Sequence, residues 1–129
     1  MFDHLDCKSI HVNLNSRRYP EVDYDLSFPK QQFSRAYCDA AEFRSKFYKM
    51  DELISNPNFM PSQYKELFPL FVFDVSKQSE RLKHSVIDIL VKAKFNKNPP
   101  ANTEAFAVVI SDRLLSFESD GNKMNVITN

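Results

Sequence analysis

The sequence predicts a mainly β protein in which antiparallel strands are accompanied by one or two helices. Three observations indicate this class: apolar and polar residues alternate in several short segments, the apolar spacing changes to three and four over residues 33–48, and Asp120-Gly121 is a strong hairpin signal. The 129 residues fit a single domain, which we expect to span residues 1–129.

The first predicted strand covers residues 10–15. Ile10, Val12 and Leu14 fall on one face of it and polar residues fall on the other, which is the period of a half-buried strand. Residues 15–20 are rich in turn formers and end in a proline, so we expect the chain to turn and leave the sheet there.

An amphipathic helix is predicted over residues 33–48. Six apolar or aromatic residues recur there at helical spacing and would share one face: Phe33, Ala36, Tyr37, Ala40, Phe43 and Phe47. We expect this stripe to pack into the core rather than to bind a cofactor. On the solvent side, Arg35–Asp39 and Glu42–Lys46 are spaced for weak ion pairs. A short helical turn is also predicted from Pro61 to Leu67, because a helix tolerates proline in its first turn.

The second half of the chain is predicted to be an antiparallel meander, the arrangement that builds sandwiches and barrels. Five segments have strand length or alternate with period two: residues 70–75, 86–95, 103–111, 114–118 and 124–128. The longest of them places five apolar residues on a single face: Ile87, Ile89, Val91, Ala93 and Phe95. We expect a loop at residues 96–102, a turn at Asp112-Arg113, and a hairpin at Asp120-Gly121 between the last two strands.

Composition excludes several classes of protein. Seventeen basic and seventeen acidic side chains cancel, so no overall charge directs the chain toward nucleic acid or anionic lipid. Gly121 is the single glycine, which excludes a glycine-rich phosphate loop. No window approaches roughly 18 apolar residues, and the first residues lack the basic and apolar regions of a secretory signal. With two cysteines, we expect reduced thiols in an intracellular protein that is not secreted.

His4, Cys7 and His11 lie close together in the sequence and are the candidate metal ligands. A structural zinc site needs four nitrogen or sulfur ligands, and Cys38 is the obvious thiol for the fourth position. His11, however, falls on the outward face of a predicted strand, and cysteine at position 7 is well suited to burial. We therefore expect Cys7 to pack and His11 to face outward, and we assign no metal ligand among them.

The other candidates also have simpler explanations than catalysis. Cys38 lies in the middle of the predicted helix, where the helix dipole does not activate a thiol, so we expect it to pack. Asp74, Asp88 and Asp112 lie in or beside apolar strands, and solvent exposure or ion pairing accounts for them better than acid–base chemistry.

Basic residues form two small clusters, which we expect to be solvated loops: Arg17-Arg18, and Lys77, Arg81, Lys83 and His84. The sequence thus assigns no catalytic, cofactor-binding or metal-binding residue, and it implies no cofactor.

Several separated blocks of the sequence resemble one protein family. The block that begins Pro69-Leu-Phe-Val-Phe-Asp-Val and runs to residue 89 is similar to the C-terminal region of major capsid proteins of Polinton/Maverick elements and adintoviruses. Two further blocks resemble the same family: residues 98–113, which begin Asn98-Pro-Pro-Ala-Asn-Thr-Glu, and Phe117-Glu-Ser-Asp-Gly-Asn-Lys-Met. Residues 12–20 and 37–48 upstream resemble it as well. The blocks occur in the family's order and cover nearly the whole chain.

The resemblance implies a double jelly roll, in which two eight-stranded sandwiches lie side by side and trimers tile an icosahedral shell. This chain would be the C-terminal part of the second jelly roll, a partial jelly roll (β-sandwich) with an amphipathic helix inserted near residues 33–48. The family has no catalytic residues to transfer. Its motif residues would be structural or lie between subunits: Asp74, Lys77, Gln78, Asp112, Arg113 and Gly121.

A complete member of the family is several times longer, and five or six strands are predicted here against the eight of one jelly roll. An incomplete sandwich leaves apolar faces and strand edges open, so we expect self-association and contact with other capsid proteins. The location would be the virion if the protein is viral, and otherwise the cytoplasm or nucleus. We expect neither a membrane nor a specific nucleic acid as partner.

Two other functions stay open at this point. One is a domesticated β-sandwich module that binds an unknown ligand, which rests on analogy of fold alone. The other is a small enzyme, which would need a concave pocket with converging titratable groups around Cys38 or His11.

Overall fold

The computed structural model describes residues 2–48, 59–76, 87–111, 116–119, 121 and 123–127. These residues contain five strands and two helices: β1 (Cys7–Leu14), β2 (Arg17–Tyr19), α1 (Ser34–Tyr48), α2 (Pro61–Glu66), β3 (Ile89–Phe95), β4 (Ser116–Ser119) and β5 (Met124–Ile127). The strands form a three-stranded sheet of order β2-β1-β3 and a two-stranded sheet of β4 and β5, and every pair is antiparallel. The predicted class, mainly β and antiparallel with one or two helices, is confirmed.

β1 and β2 form a tight hairpin around Asn15. Leu14 pairs with Arg17, so the two residues between them make the turn. Asn15 has a φ of 53°, a left-handed conformation that asparagine tolerates better than most residues. Its side-chain oxygen accepts a hydrogen bond from the Asp88 amide at 2.9 Å, and its own amide donates to the Asp88 carbonyl at 2.9 Å. The turn therefore connects β1 to β2 and also holds the start of β3. The sequence did not predict β2, because residues 15–20 were expected only to leave the sheet.

An irregularity in β1 decides which of its residues face the core. Successive residues of β3 pair with Cys7 and Ser9, so Lys8 is an extra residue in the ladder. A bulge of this kind shifts the alternation by one residue and brings Cys7 to the same side as Ile10. Cys7 is 1% exposed, and Ile10 packs against the buried cluster.

The core combines β1, the two helices and the loop that follows β2. Its buried members are Cys7, Leu26, Phe28, Phe33, Ala36, Ala40 and Tyr64. The Phe28 ring stacks on the Phe33 ring with centroids 5.4 Å apart, and Phe33 contacts Tyr64 at 5.7 Å. Aromatic rings bury large apolar areas, so this row of rings is the centre of the described fold.

Two tyrosine hydroxyls hold irregular backbone against this core. Tyr64 is fully buried, and its hydroxyl donates to the Leu70 carbonyl at 2.9 Å. Tyr37 on α1 donates to the Phe59 carbonyl at 3.1 Å. Because a buried hydroxyl needs a partner, these two bonds fix the chain on both sides of α2.

α1 confirms the predicted helix but corrects part of its predicted packing. Ala36 and Ala40 are buried, whereas Phe47 at the far end of the stripe is exposed. Cys38 is also exposed, so the expectation that it packs is wrong. Two residues span about 200° around a helix, so Cys38 lies on the side opposite to the buried Ala36 and Ala40.

The predicted meander is only partly correct. β3 forms inside the predicted strand at residues 86–95, but it pairs with β1 rather than with a neighbour in sequence. Residues 70–75 and 103–111 form no strand, so these two predicted strands are wrong. Alternation indicates which side chains would lie on one face of a strand. A strand forms, however, only where a second strand is available to form hydrogen bonds with it.

The last hairpin is confirmed. β4 and β5 pair in register from Ser116 with Ile127 to Ser119 with Met124. Gly121 between them has a φ of 74°, which glycine adopts without strain. The turn predicted at Asp112-Arg113 lies outside the described residues.

Candidate interaction surface

The core packs against β1 of the three-stranded sheet but leaves the same face of the neighbouring strand β3 largely exposed. Directly paired residues share a face of a sheet, so Leu14 lies beside Ile89 and Val12 beside Val91. Leu14 and Val12 are 3% and 8% exposed, whereas Ile89 and Val91 are 48% and 47% exposed. Phe95, further along the same face of β3, is 36% exposed. We call Ile89, Val91 and Phe95 the bare β3 stripe.

β3 is also an edge strand. Its neighbour is β1, and within the described residues no strand pairs with its other side. A free edge offers unpaired amide and carbonyl groups to another strand. Lys92 and Lys94 are charged side chains of the kind that discourage uncontrolled edge pairing. The stripe, rather than the backbone edge, is therefore the stronger interaction feature.

A second apolar feature is the segment at residues 103–111. Phe106 and Val108 are 78% and 86% exposed, more than any other large apolar side chain in the part of the chain that the structure describes. The Phe106 ring meets the Phe2 ring edge to face, with centroids 6.5 Å apart, which leaves most of its surface in water. Burying apolar surface yields about 25 cal/mol per Å², so both features favour contact with a partner.

The opposite face of the same sheet carries polar and charged side chains, together with the exposed Leu90 beside Asn13. The Asp23 carboxylate accepts a hydrogen bond from the Ser9 hydroxyl at 2.6 Å and another from the Arg18 guanidinium, with which it forms an ion pair. The Ser9 and Arg18 hydrogen bonds lower the pKa of Asp23. His11 lies on this face, where it pairs with Lys92 of β3. The alternation predicted the outward position of His11, but nothing in the sequence pointed to Asp23.

The structure separates the three candidate metal ligands. The His4 ring stacks on Phe28 at 4.0 Å, and its Nδ1 accepts a hydrogen bond from the Asp6 amide at 2.8 Å. Cys7 faces the core, where burial raises the pKa of its thiol to about 11. His11 lies on the other face of the sheet. Across the described ranges, no three histidine, cysteine or carboxylate side chains are placed to hold a metal ion.

The remaining candidates do not converge on one site. Asp74 and Asp88 are exposed, and Asp74 accepts a hydrogen bond from the Ser76 amide at 2.9 Å. Arg17 forms an exposed ion pair with Glu21 at 3.8 Å. Five candidates lie outside the described residues: Lys77, Arg81, Lys83, His84 and Asp112.

A shallow depression of about 310 Å³ lies near the first residues of the chain. It is lined by Phe2, Asp3, His4, Lys65 and Glu66. Local hydrogen bonds already engage two of its polar groups, because the Asp3 carboxylate accepts from the Leu5 amide and His4 accepts from another backbone amide. The depression includes neither Cys38 nor His11, around which an enzyme pocket would have been expected.

Within the described residues, the strand pairing and the exposed apolar face of β3 define an antiparallel β-sheet protein whose core is uncovered on one side. Residues 1–115 match the family described as the double jelly roll-like domain, and the chain belongs to this family. The match confirms the jelly-roll fold that the resemblance implied. No curated protein and no solved structure matches the chain. None of the described helices is long and apolar enough to cross a membrane.

Proposed function

We propose that this protein is a non-enzymatic structural protein of the viral capsid type, which acts by burying its open apolar surface against sister chains. The bare β3 stripe carries the proposal, together with the exposed apolar segment at residues 103–111. Ile89 and Val91 lie beside buried residues of β1, on the face that a jelly roll covers with a second sheet, and yet about half of each side chain is in water.

Family membership supports this function because jelly rolls of this kind are typical of viral capsid proteins. The finer assignment is to the major capsid proteins of Polinton/Maverick elements and adintoviruses, as the C-terminal part of the second jelly roll. The sequence blocks at residues 69–89 and 98–113 support it. In this role the protein belongs in the virion, or in the cytoplasm or nucleus if a host genome has retained the gene.

The chemistry of the described side chains agrees with a structural role. A thiol such as Cys7, with a pKa of about 11, stays protonated at neutral pH and is a poor nucleophile. The ring of His4 is occupied by stacking and by a backbone hydrogen bond. These groups serve packing rather than proton transfer.

The test removes exposed apolar side chains without disturbing the core. In the variant Phe106→Ser/Val108→Ser, both residues are at least 78% exposed in the single chain, so the fold should tolerate the change. Burying two such side chains at an interface contributes about 3–6 kcal/mol before the costs of association. We expect the dissociation constant for self-association, measured by sedimentation velocity, to rise at least about tenfold.

The matched control is Val22→Ser/Met60→Ser, which removes apolar side chains that are 66% and 69% exposed elsewhere on the chain. This variant should associate as the unchanged protein does. Equal behaviour of the two double variants would contradict the proposed surface. A protein that stays monomeric throughout would favour the β-sandwich binding module instead.

A further inference from the structure

Positive charge is concentrated on the polar face of the three-stranded sheet. Lys92 lies beside His11 and Lys94 beside Ser9, so both lysines project from the face that carries Arg18. Along a strand, residues two apart are separated by roughly 6.7 Å, and neighbouring strands by about 4.8 Å. The cations therefore spread over an area wider than a single phosphate group.

This charge has little local compensation. The Asp23 carboxylate contacts this face, where it is already engaged by Ser9 and Arg18. Within the described ranges no carboxylate comes within ion-pair distance of Lys92 or Lys94. Asp88 lies on the same side of β3 but at its far end, beside the Asn15 turn. The excess of positive charge is local, because the whole chain has a formal net charge of zero.

The environment of His11 reflects the closeness of these cations. The pKa of His11 is lowered, first by desolvation and then by the positive charges of Arg18, Lys92 and Lys94, while Asp23 acts in the opposite direction. Groups that depress the protonation of a neighbouring imidazole repel one another as well. An anion placed among them would relieve this repulsion.

We propose that the polar face of the β1–β3 pair binds the phosphodiester backbone of double-stranded nucleic acid without sequence preference. Lys92 and Lys94 supply the main contacts, and His11 and Arg18 flank them. This inference goes beyond the assembly function, because the bare β3 stripe lies on the opposite face of the same strand.

The side chains on this face fit a duplex backbone better than other anions. Ser9 and Asn13 add neutral hydrogen-bond groups of the kind that contact phosphate oxygens. No aromatic residue of the described strands accompanies them on this side, so the face lacks the stacking platforms that hold unpaired bases. Lysines that contact phosphates release counterions and bind with a steep dependence on salt.

The experiment measures the fluorescence anisotropy of a labelled mixed-sequence DNA duplex titrated with the full chain at several salt concentrations. The Lys92→Gln/Lys94→Gln variant should reduce the slope of log affinity against log salt by about 1.8. Near 50 mM salt its affinity should fall on the order of a hundredfold. Each lost contact lowers the slope by about 0.9, and the difference accumulates over the roughly 1.3 decades between about 1 M and 50 mM salt.

Two further variants distinguish binding at this face from a general loss of positive charge and from misfolding. Lys30→Gln/Lys65→Gln removes the same charge away from the sheet and should leave the affinity nearly unchanged. Asp23→Asn keeps an oxygen for Ser9 and Arg18 but removes the negative charge, and it should tighten binding several-fold, a gain that misfolding cannot produce.

Three results would overturn the proposal. The first is the absence of saturable duplex binding by the unchanged protein near 50 mM salt. The second is an equal loss of affinity in the two double-lysine variants. The third is binding of poly-glutamate of matched charge as tightly as the duplex, which would show an acidic polypeptide to be the preferred partner.

Discussion

Replacing Tyr64 by phenylalanine removes one oxygen atom from the centre of the fold. The side chain is fully buried, and its hydroxyl donates to the Leu70 carbonyl at 2.9 Å. The ring contacts with Phe33, Tyr37 and Phe59 do not depend on that oxygen, so they should survive the change. Tyr64→Phe therefore isolates the bond that holds the segment after α2.

The expected loss is about 1–2 kcal/mol in the free energy of unfolding. A neutral hydrogen bond contributes about 1 kcal/mol net, and a carbonyl left without its donor adds a further penalty. For 129 residues, the unfolding entropy is about 270 cal/mol/K, so the melting temperature should fall by about 4–7 °C. Urea unfolding followed by circular dichroism measures the change, and the denaturant slope should stay constant.

Tyr48→Phe is the control, because it removes the same atom from a side chain that is 62% exposed. Its free energy of unfolding should stay within about 0.5 kcal/mol of the unchanged protein. If Tyr64→Phe were no more damaging than Tyr48→Phe, the Tyr64 hydroxyl would not be bonded in the folded protein, and the account of this core would be wrong.

Two further predictions concern titration and reactivity. Burial raises the pKa of both Tyr24 and Tyr64 above the ordinary value of 10.0, so the folded protein keeps both phenols protonated where the unfolded chain ionises them. These groups should not affect the free energy of unfolding below about pH 10, and that free energy should fall as the pH rises further. A free energy of unfolding that stays constant up to about pH 11 would contradict this prediction. In native protein at pH 8, iodoacetamide should modify the exposed Cys38 and spare the buried Cys7, whose thiol has a pKa of about 11. Mass spectrometry measures the labelling of each cysteine. Equal labelling of the two would refute the placement of β1.

Local patterns predicted the elements that depend on neighbouring residues. The apolar stripe at residues 33–48 predicted α1, which the structure places at Ser34–Tyr48. The alternation of Ile10, Val12 and Leu14 predicted β1, and Asp120-Gly121 predicted the last hairpin. In each case, the information lies within a few residues of the element.

Features that depend on distant residues could not be predicted. The pairing of β3 with β1 joins residues 89–95 to residues 7–14, which are far apart in the sequence, and no local signal specifies that partner. The bulge at Lys8 makes Cys7 face the core together with Ile10, although the two are an odd number of positions apart. Asp23 lies in a loop without periodicity, so its bonds to the outer face had no sequence signal.

The candidate surface was anticipated in part. The sequence placed Ile89, Val91 and Phe95 on one face of a strand and predicted that incomplete coverage would leave apolar residues open. Which strand stays open follows only from the contrast in exposure between β1 and β3. Residues 103–111 were predicted to pair in a strand, whereas in the described structure their apolar side chains face water.

Sedimentation velocity of the unchanged chain over a wide range of concentrations tests the central claim most directly. If the bare β3 stripe and residues 103–111 are buried between copies, the average mass should rise above 15.1 kDa as the concentration increases. A single species of 15.1 kDa at every concentration, with no binding of a dye that reports exposed apolar surface, would contradict the account.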